Sequence, residues 1–91
     1  MRITGEIIEK IIQTAKEYDI KKLVLFGSAF DSPENAHDID LACNLDGMKI
    51  FSFAGRLEEE LNISVDIVPL TKDNPFSEIV LRKGKVIYEV I

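Results

Sequence analysis

Apolar residues recur along the chain with two spacings, a helical one and the alternation or short run of a strand, and the switches between them mark out eight elements. Ile7, Ile8, Ile11, Ile12, Ala15 and Tyr18 line one side of a first helix, and Glu9, Lys10, Gln13, Lys16 and Glu17 fill its wet side. Thr4 is placed as its N-cap, with Glu6 at the positive end of the helix dipole. Residues 23–26 are an unbroken apolar run, which predicts a strand buried on both faces. Gly27-Ser28 then turns the chain, and Ser28 is placed to cap a short helix over 29–32 that Pro33 ends. Glu34, Asn35 and Ala36 read as exposed loop before a second strand over 38–45.

Asp46-Gly47 predicts a turn and a helix starting near Met48, with Ile50, Phe53, Ala54, Leu57 and Leu61 as its buried stripe. Phe51 falls off that stripe, the Glu58-Glu59-Glu60 run reads as a solvated face, and Asn62 stands near the C-cap. Residues 64–68 predict a third strand, closed by Pro69. Asn74-Pro75 opens a last helix, with Phe76, Ile79 and Val80 pointing inward and Gly84 ending it, before a final strand over 85–91.

This order is that of an α/β (α+β) chain with a small mixed sheet flanked by helices. The second strand, third helix and third strand make a βαβ unit, which requires parallel strands and a right-handed crossover. The link between the first two strands is too short for such a crossover, so that pair is antiparallel. The end of the first strand, the start of the second and the start of the third then meet at one place. Gly27 and Ser28 are thereby brought beside Asp38, Asp40 and Asp66.

Ninety-one residues predict one small domain spanning 1–91, and the 46% apolar share is that of a folded chain. The net charge of −5 disfavours direct nucleic-acid binding. The single cysteine, Cys43, excludes an internal disulfide and reads as a small buried hydrophobe. With no long apolar run and no signal-peptide core, the expectation is a soluble, cytoplasmic protein without a membrane partner.

Asp38 and Asp40 lie two apart on one strand and project to the same face. Carboxylates so placed repel one another unless a cation sits between them. With Asp66 they make a candidate site for Mg²⁺, which takes carboxylates and substrate phosphates in an octahedral shell. Gly27 lets the backbone approach a phosphate, and Ser28 offers a hydroxyl and backbone N–H groups. Such a set suits metal-assisted phosphoryl or nucleotidyl transfer, with Asp66 as acceptor of the attacking hydroxyl's proton. The structural alternative is that Asp38 caps a turn while Asp40 and Asp66 pair with surface lysines.

Gly27-Ser28, nine intervening residues, Asp38-Ile39-Asp40-Leu41 and a later Asp66 resemble the minimal nucleotidyltransferases of the polymerase-beta superfamily. Such domains often act as antitoxins paired with helical HEPN-type toxins. The resemblance implies a nucleotidyltransferase fold and Mg²⁺-dependent transfer of a nucleoside monophosphate, typically AMP from ATP, to a hydroxyl of a partner protein such as a tyrosine. Asp38, Asp40 and Asp66 would be the catalytic and metal-binding residues, and Gly27 and Ser28 would bind the nucleotide. The partner would be a HEPN-type toxin or another copy of the chain.

Two positions depart from the family pattern. Gly-Ser is usually followed by an arginine, whose place is taken here by Phe30 or Asp31, and His37 stands where a serine usually precedes the first aspartate. Arg82 and Lys83, at the end of the last helix, are the candidates to supply the missing positive charge for the nucleotide. The rival reading is a catalytically degenerate nucleotidyltransferase-fold module that neutralises its partner by contact alone.

Overall fold

The computed structural model describes residues 1–45 and 47–91. In chain order it comprises α1 (Gly5–Glu17), β1 (Lys22–Phe26), α2 (Ser28–Asp31), a 3-10 turn (Pro33–Asn35), β2 (Ile39–Cys43), α3 (Met48–Leu61), β3 (Val65–Pro69), α4 (Phe76–Lys83) and β4 (Lys85–Glu89). The strands form one mixed sheet in the order β3-β2-β1-β4. β1 is antiparallel to β2 and β2 is parallel to β3, as the connection lengths predict, and β1 also pairs antiparallel with β4.

Alternation along each strand separates two cores. Ile39, Leu41 and Cys43 of β2, with Leu23 and Leu25 of β1, face α1 and α3 and pack against Ile11, Ala15, Phe53 and Leu57. The ring of Tyr18 lies 5.4 Å from that of Phe53. On the other face Val24 and Ala42 meet Val80 of α4, bordered by Phe26, Val68 and Leu70. β1 is thus buried on both sides. Burial also pushes the Cys43 thiol upward, consistent with a packed side chain and not a reactive one.

Helix ends follow local chemistry. The Thr4 hydroxyl accepts from the Ile7 N–H at 3.3 Å, and Asn62 closes α3 in the left-handed conformation. Asn74 Oδ1 accepts from the Phe76 N–H at 3.1 Å while its Nδ2 donates to the Pro69 carbonyl at 3.0 Å, so one side chain fixes where α4 starts relative to β3. Gly84, which follows α4, has no room for a side chain: a Cβ would stand 2.7 Å from the Leu25 carbonyl oxygen and 2.8 Å from a Val24 methyl.

Several expectations need correction. Of the inward stripe predicted for α4, only Val80 is buried, together with Ser77; Phe76 and Ile79 are 43% and 44% exposed. α4 covers a narrow strip of the second face, so one row of contacts exhausts what it can bury. Ala36 is buried, not part of an exposed loop, because the Met1 carbonyl accepts from its N–H at 2.8 Å and the N-terminal arm runs over it. Ser28 is the first residue of α2, not its cap; Gly27 takes that position. The glutamate run is exposed as expected, and its side chains also bond: Glu58 accepts from the Val65 N–H at 2.9 Å, and Glu60 pairs with Arg56 at 2.8 Å. The turn expected at Asp46 lies outside the described residues.

Candidate active site

The end of β1 and the starts of β2 and β3 meet at one end of the sheet, on the face that carries α4. Phe26 of β1 stands directly opposite Asp40 of β2, and Asp40 is in register with Asp66 of β3. Asp38 precedes β2 by one residue and is two positions from Asp40, hence on the same side. Each of the three acids offers an oxygen within 4.8 Å of the others'. Ile39 and Leu41 lock β2 to the core, so this convergence follows from the alternation itself.

Carboxylates at such separations raise one another's cost of ionisation. Burial is the largest cause pushing the Asp40 carboxyl upward, with the charges of Asp38 and Asp66 adding to it. Among the described residues, the ion pairs join Lys21 to Asp19, Lys22 to Glu89, and Arg56 to Glu17 and Glu60; none involves the three acids. Pairing of Asp40 and Asp66 with surface lysines is therefore not what the structure contains. Three hard oxygen donors without a protein cation fit a hard divalent metal ion, and Asp38, Asp40 and Asp66 are the residues that would hold it.

Gly27 is what lets Asp40 sit there. It adopts φ 70°, a region glycine enters without strain, and a Cβ at this position would overlap the Asp40 carboxylate, 3.1 Å from its Cγ. The next residue, Ser28, has a buried hydroxyl with no hydrogen-bond partner among the described residues. Leaving such a group unpaired costs about 1–3 kcal/mol, which a ligand oxygen would recover.

The other nominated residues are spread around this centre. His37 and Asp31 are exposed, and Phe30 lines a hollow with Ile3, Ile8, Leu25 and Ile87 on the α1 side of the sheet. Phe30 is therefore not directed at the acids. Arg82 and Lys83 are exposed in the last turn of α4, and β4 then enters the sheet with Lys85 opposite Leu25, one residue from Phe26. At 3.6 residues per turn, Lys83 shares a side of α4 with Phe76 and Ile79, whereas Arg82 points roughly opposite to the buried Ser77–Val80 side.

Two residues on this face carry no functional reading in the sequence, Phe76 being expected only as core. Phe26 neighbours Asp40 across the strands, and the ring of Phe76 packs edge-on against it with centroids 6.0 Å apart. The position of Phe26 immediately before Gly27 carried that signal, since the last residue of β1 must face the start of β2.

The known proteins most informative about this arrangement are nucleotidyltransferases and toxin–antitoxin pairs. A crystal structure of a toxin–antitoxin with AMP-PNP has a chain similar to this one at TM-score 0.75 and 25% identity, over 91% of this chain and 73% of that chain. A structure of a tri-AMPylated Shewanella oneidensis HEPN toxin in complex with MNT antitoxin matches at TM-score 0.71 and 25% identity, over 93% of this chain and 71% of that chain. A further Shewanella oneidensis crystal structure, at 20% identity and TM-score 0.75 over 96% of this chain and 73% of that chain, shares the fold. No curated protein matches the chain. Among the described residues no helix is long and apolar enough to cross a membrane. The model of the polymerase beta nucleotidyltransferase family matches residues 9–90, so the chain belongs to that family.

Proposed function

We propose that this chain is a Mg²⁺-dependent nucleotidyltransferase that moves a nucleoside monophosphate, AMP from ATP, onto a hydroxyl of a partner protein, and that it serves as the antitoxin of a HEPN-type toxin. The observation that carries the chemistry is the convergence of three oxygen donors that, among the described residues, no lysine or arginine pairs with, beside a buried hydroxyl that finds no partner among them. The similar structures with AMP-PNP and with an AMPylated HEPN toxin support the choice of nucleotide and partner. A bound divalent ion would neutralise phosphate charge and lower the barrier to attack at the α-phosphorus.

The chain's own residues then have distinct tasks. Gly27 keeps space for the Asp40 carboxylate, and the Gly27-Ser28 turn donates to phosphate oxygens. Asp38 and Asp40, with Asp66, would hold the metal. Asp66, the most exposed of the three, is open to an incoming acceptor and takes the proton from its hydroxyl. That oxygen bonds to the α-phosphorus as the bond to the pyrophosphate leaving group breaks. Positive charge for the triphosphate comes from the end of α4, through Arg82 or Lys83.

A second reading, a degenerate module that acts by contact, is favoured by one observation: of the two candidates for the family's arginine position, Phe30 lines the hollow under α1 and Asp31 adds negative charge. Incubation with labelled ATP, Mg²⁺ and proteins of its own cell separates the two. Label on a single partner band, lost in Asp40→Asn, supports transfer. A partner that co-purifies with the chain but never acquires label leaves the contact module.

A further inference from the structure

A nucleotide has an anionic end and a flat, weakly polar end. The α4 face of the sheet carries its side chains in the same order. At one end lie Asp38, Asp40, Asp66 and the Gly27-Ser28 turn. Next to them on the same sheet face is Phe26, directly opposite Asp40, and against Phe26 stands Phe76 at the start of α4.

We propose that the exposed ring of Phe76, backed by Phe26 and extended by Ile79, is the platform on which the base of the bound nucleotide stacks. This rests on the nucleotidyltransferase reading and adds a residue that determines how the substrate is held.

Phe26 meets Phe76 at 69° between ring planes, an edge contact that covers at most one face of either ring. The ring is 43% exposed although it leads a helix whose neighbouring residue, Ser77, is buried. Its place is fixed by Asn74, which binds the Phe76 N–H and the Pro69 carbonyl at once. Ile79, one turn on and 44% exposed, continues the apolar wall, and Lys83 follows on the same side. Together the two half-exposed side chains offer apolar area beside a charged site that a flat ligand could cover. A base joined through its ribose to phosphates at the acids is such a ligand, and base–aromatic stacking tolerates any base because each has a π-face.

The test uses the full chain with Mg²⁺ and two probes in titration calorimetry: AMP-PNP, which carries a base, and inorganic triphosphate, which does not. In Phe76→Ala the affinity for AMP-PNP should fall about tenfold or more while that for triphosphate is unchanged; Phe76→Trp should restore AMP-PNP binding. Unchanged AMP-PNP binding in Phe76→Ala overturns the platform and leaves the nucleotidyltransferase reading standing. Equal weakening of both probes also overturns it, since the loss would then be structural. Wild type that binds neither probe overturns both readings together.

Discussion

The two faces of the central sheet differ in how they use the same strands. On the face toward α1 and α3, β2 contributes Ile39, Leu41 and Cys43 to a dry core sealed by Phe53 and Leu57. On the face toward α4, the same strand contributes Asp40 and Ala42, and the apolar cluster shrinks to Val24, Ala42 and Val80 with a few half-buried neighbours. The first face supplies the free energy that the second spends in holding three acids together. A strand can do both only because its side chains alternate, so the geometry of the acids is inherited from the packing beneath them.

The comparison breaks most visibly where the faces are perturbed separately. Phe53→Ala should cost about 3–5 kcal/mol, much of the roughly 5–15 kcal/mol typical of such a domain, and is read by urea denaturation. Asp40→Asn, one sheet thickness away, should leave stability equal or higher because it removes a repelling charge, yet abolish the rise in melting temperature given by Mg²⁺ with nucleotide. Similar losses from both would show that the acids belong to the structural framework.

A smaller effect is expected at the end of α4. Loss of a charged hydrogen bond to phosphate in Lys83→Ala should weaken nucleotide binding by about 1.5–3 kcal/mol in calorimetry, with a smaller loss in Arg82→Ala. The reverse ranking would mean that the last turn of α4 is rotated in the bound state. Gly27→Ala comes next: holding alanine at φ 70° costs about 1–3 kcal/mol in a thermal melt, and the added Cβ should displace Asp40 enough to remove the metal response. A variant that keeps that response would show the Gly27–Asp40 contact to be incidental.

The least effect is the pH dependence. The Asp40 carboxyl is raised in the folded state from its ordinary value of 3.8, so folding favours its protonated form. That contribution is complete below the unfolded value and is lost as pH rises through the folded one. Wild type should therefore lose stability relative to Asp40→Asn as pH climbs through this window in metal-free buffer, and saturating Mg²⁺ should cancel the loss. Parallel pH profiles without metal would show that the acids do not repel.

The face that packs was legible in the sequence, and so was the meeting of the three acids. The alternation in Asp38-Ile39-Asp40-Leu41 and the short link before it dictate both. What escaped reading depends on how far one element covers another. Phe76 and Ile79 carry the spacing of a buried stripe, but how much sheet α4 spans is decided by long-range contacts that spacing does not encode. The burial of Ala36 has the same origin, its cover arriving from residues far earlier in the chain. The place of β4 beside β1 likewise had no local signal.

The missing side chain at Gly84 has a bearing on the placement of α4 that goes beyond packing. With the Leu25 carbonyl and Val24 lying where a Cβ would go, the backbone leaving α4 rests directly on β1. Gly84 therefore acts as a spacer of minimum thickness between α4 and β1. A methyl group there would lift the last turn of α4, and with it Lys83, off the sheet like a wedge under a hinge. The height of that turn above β1 is thus set by a residue that contributes no side chain of its own.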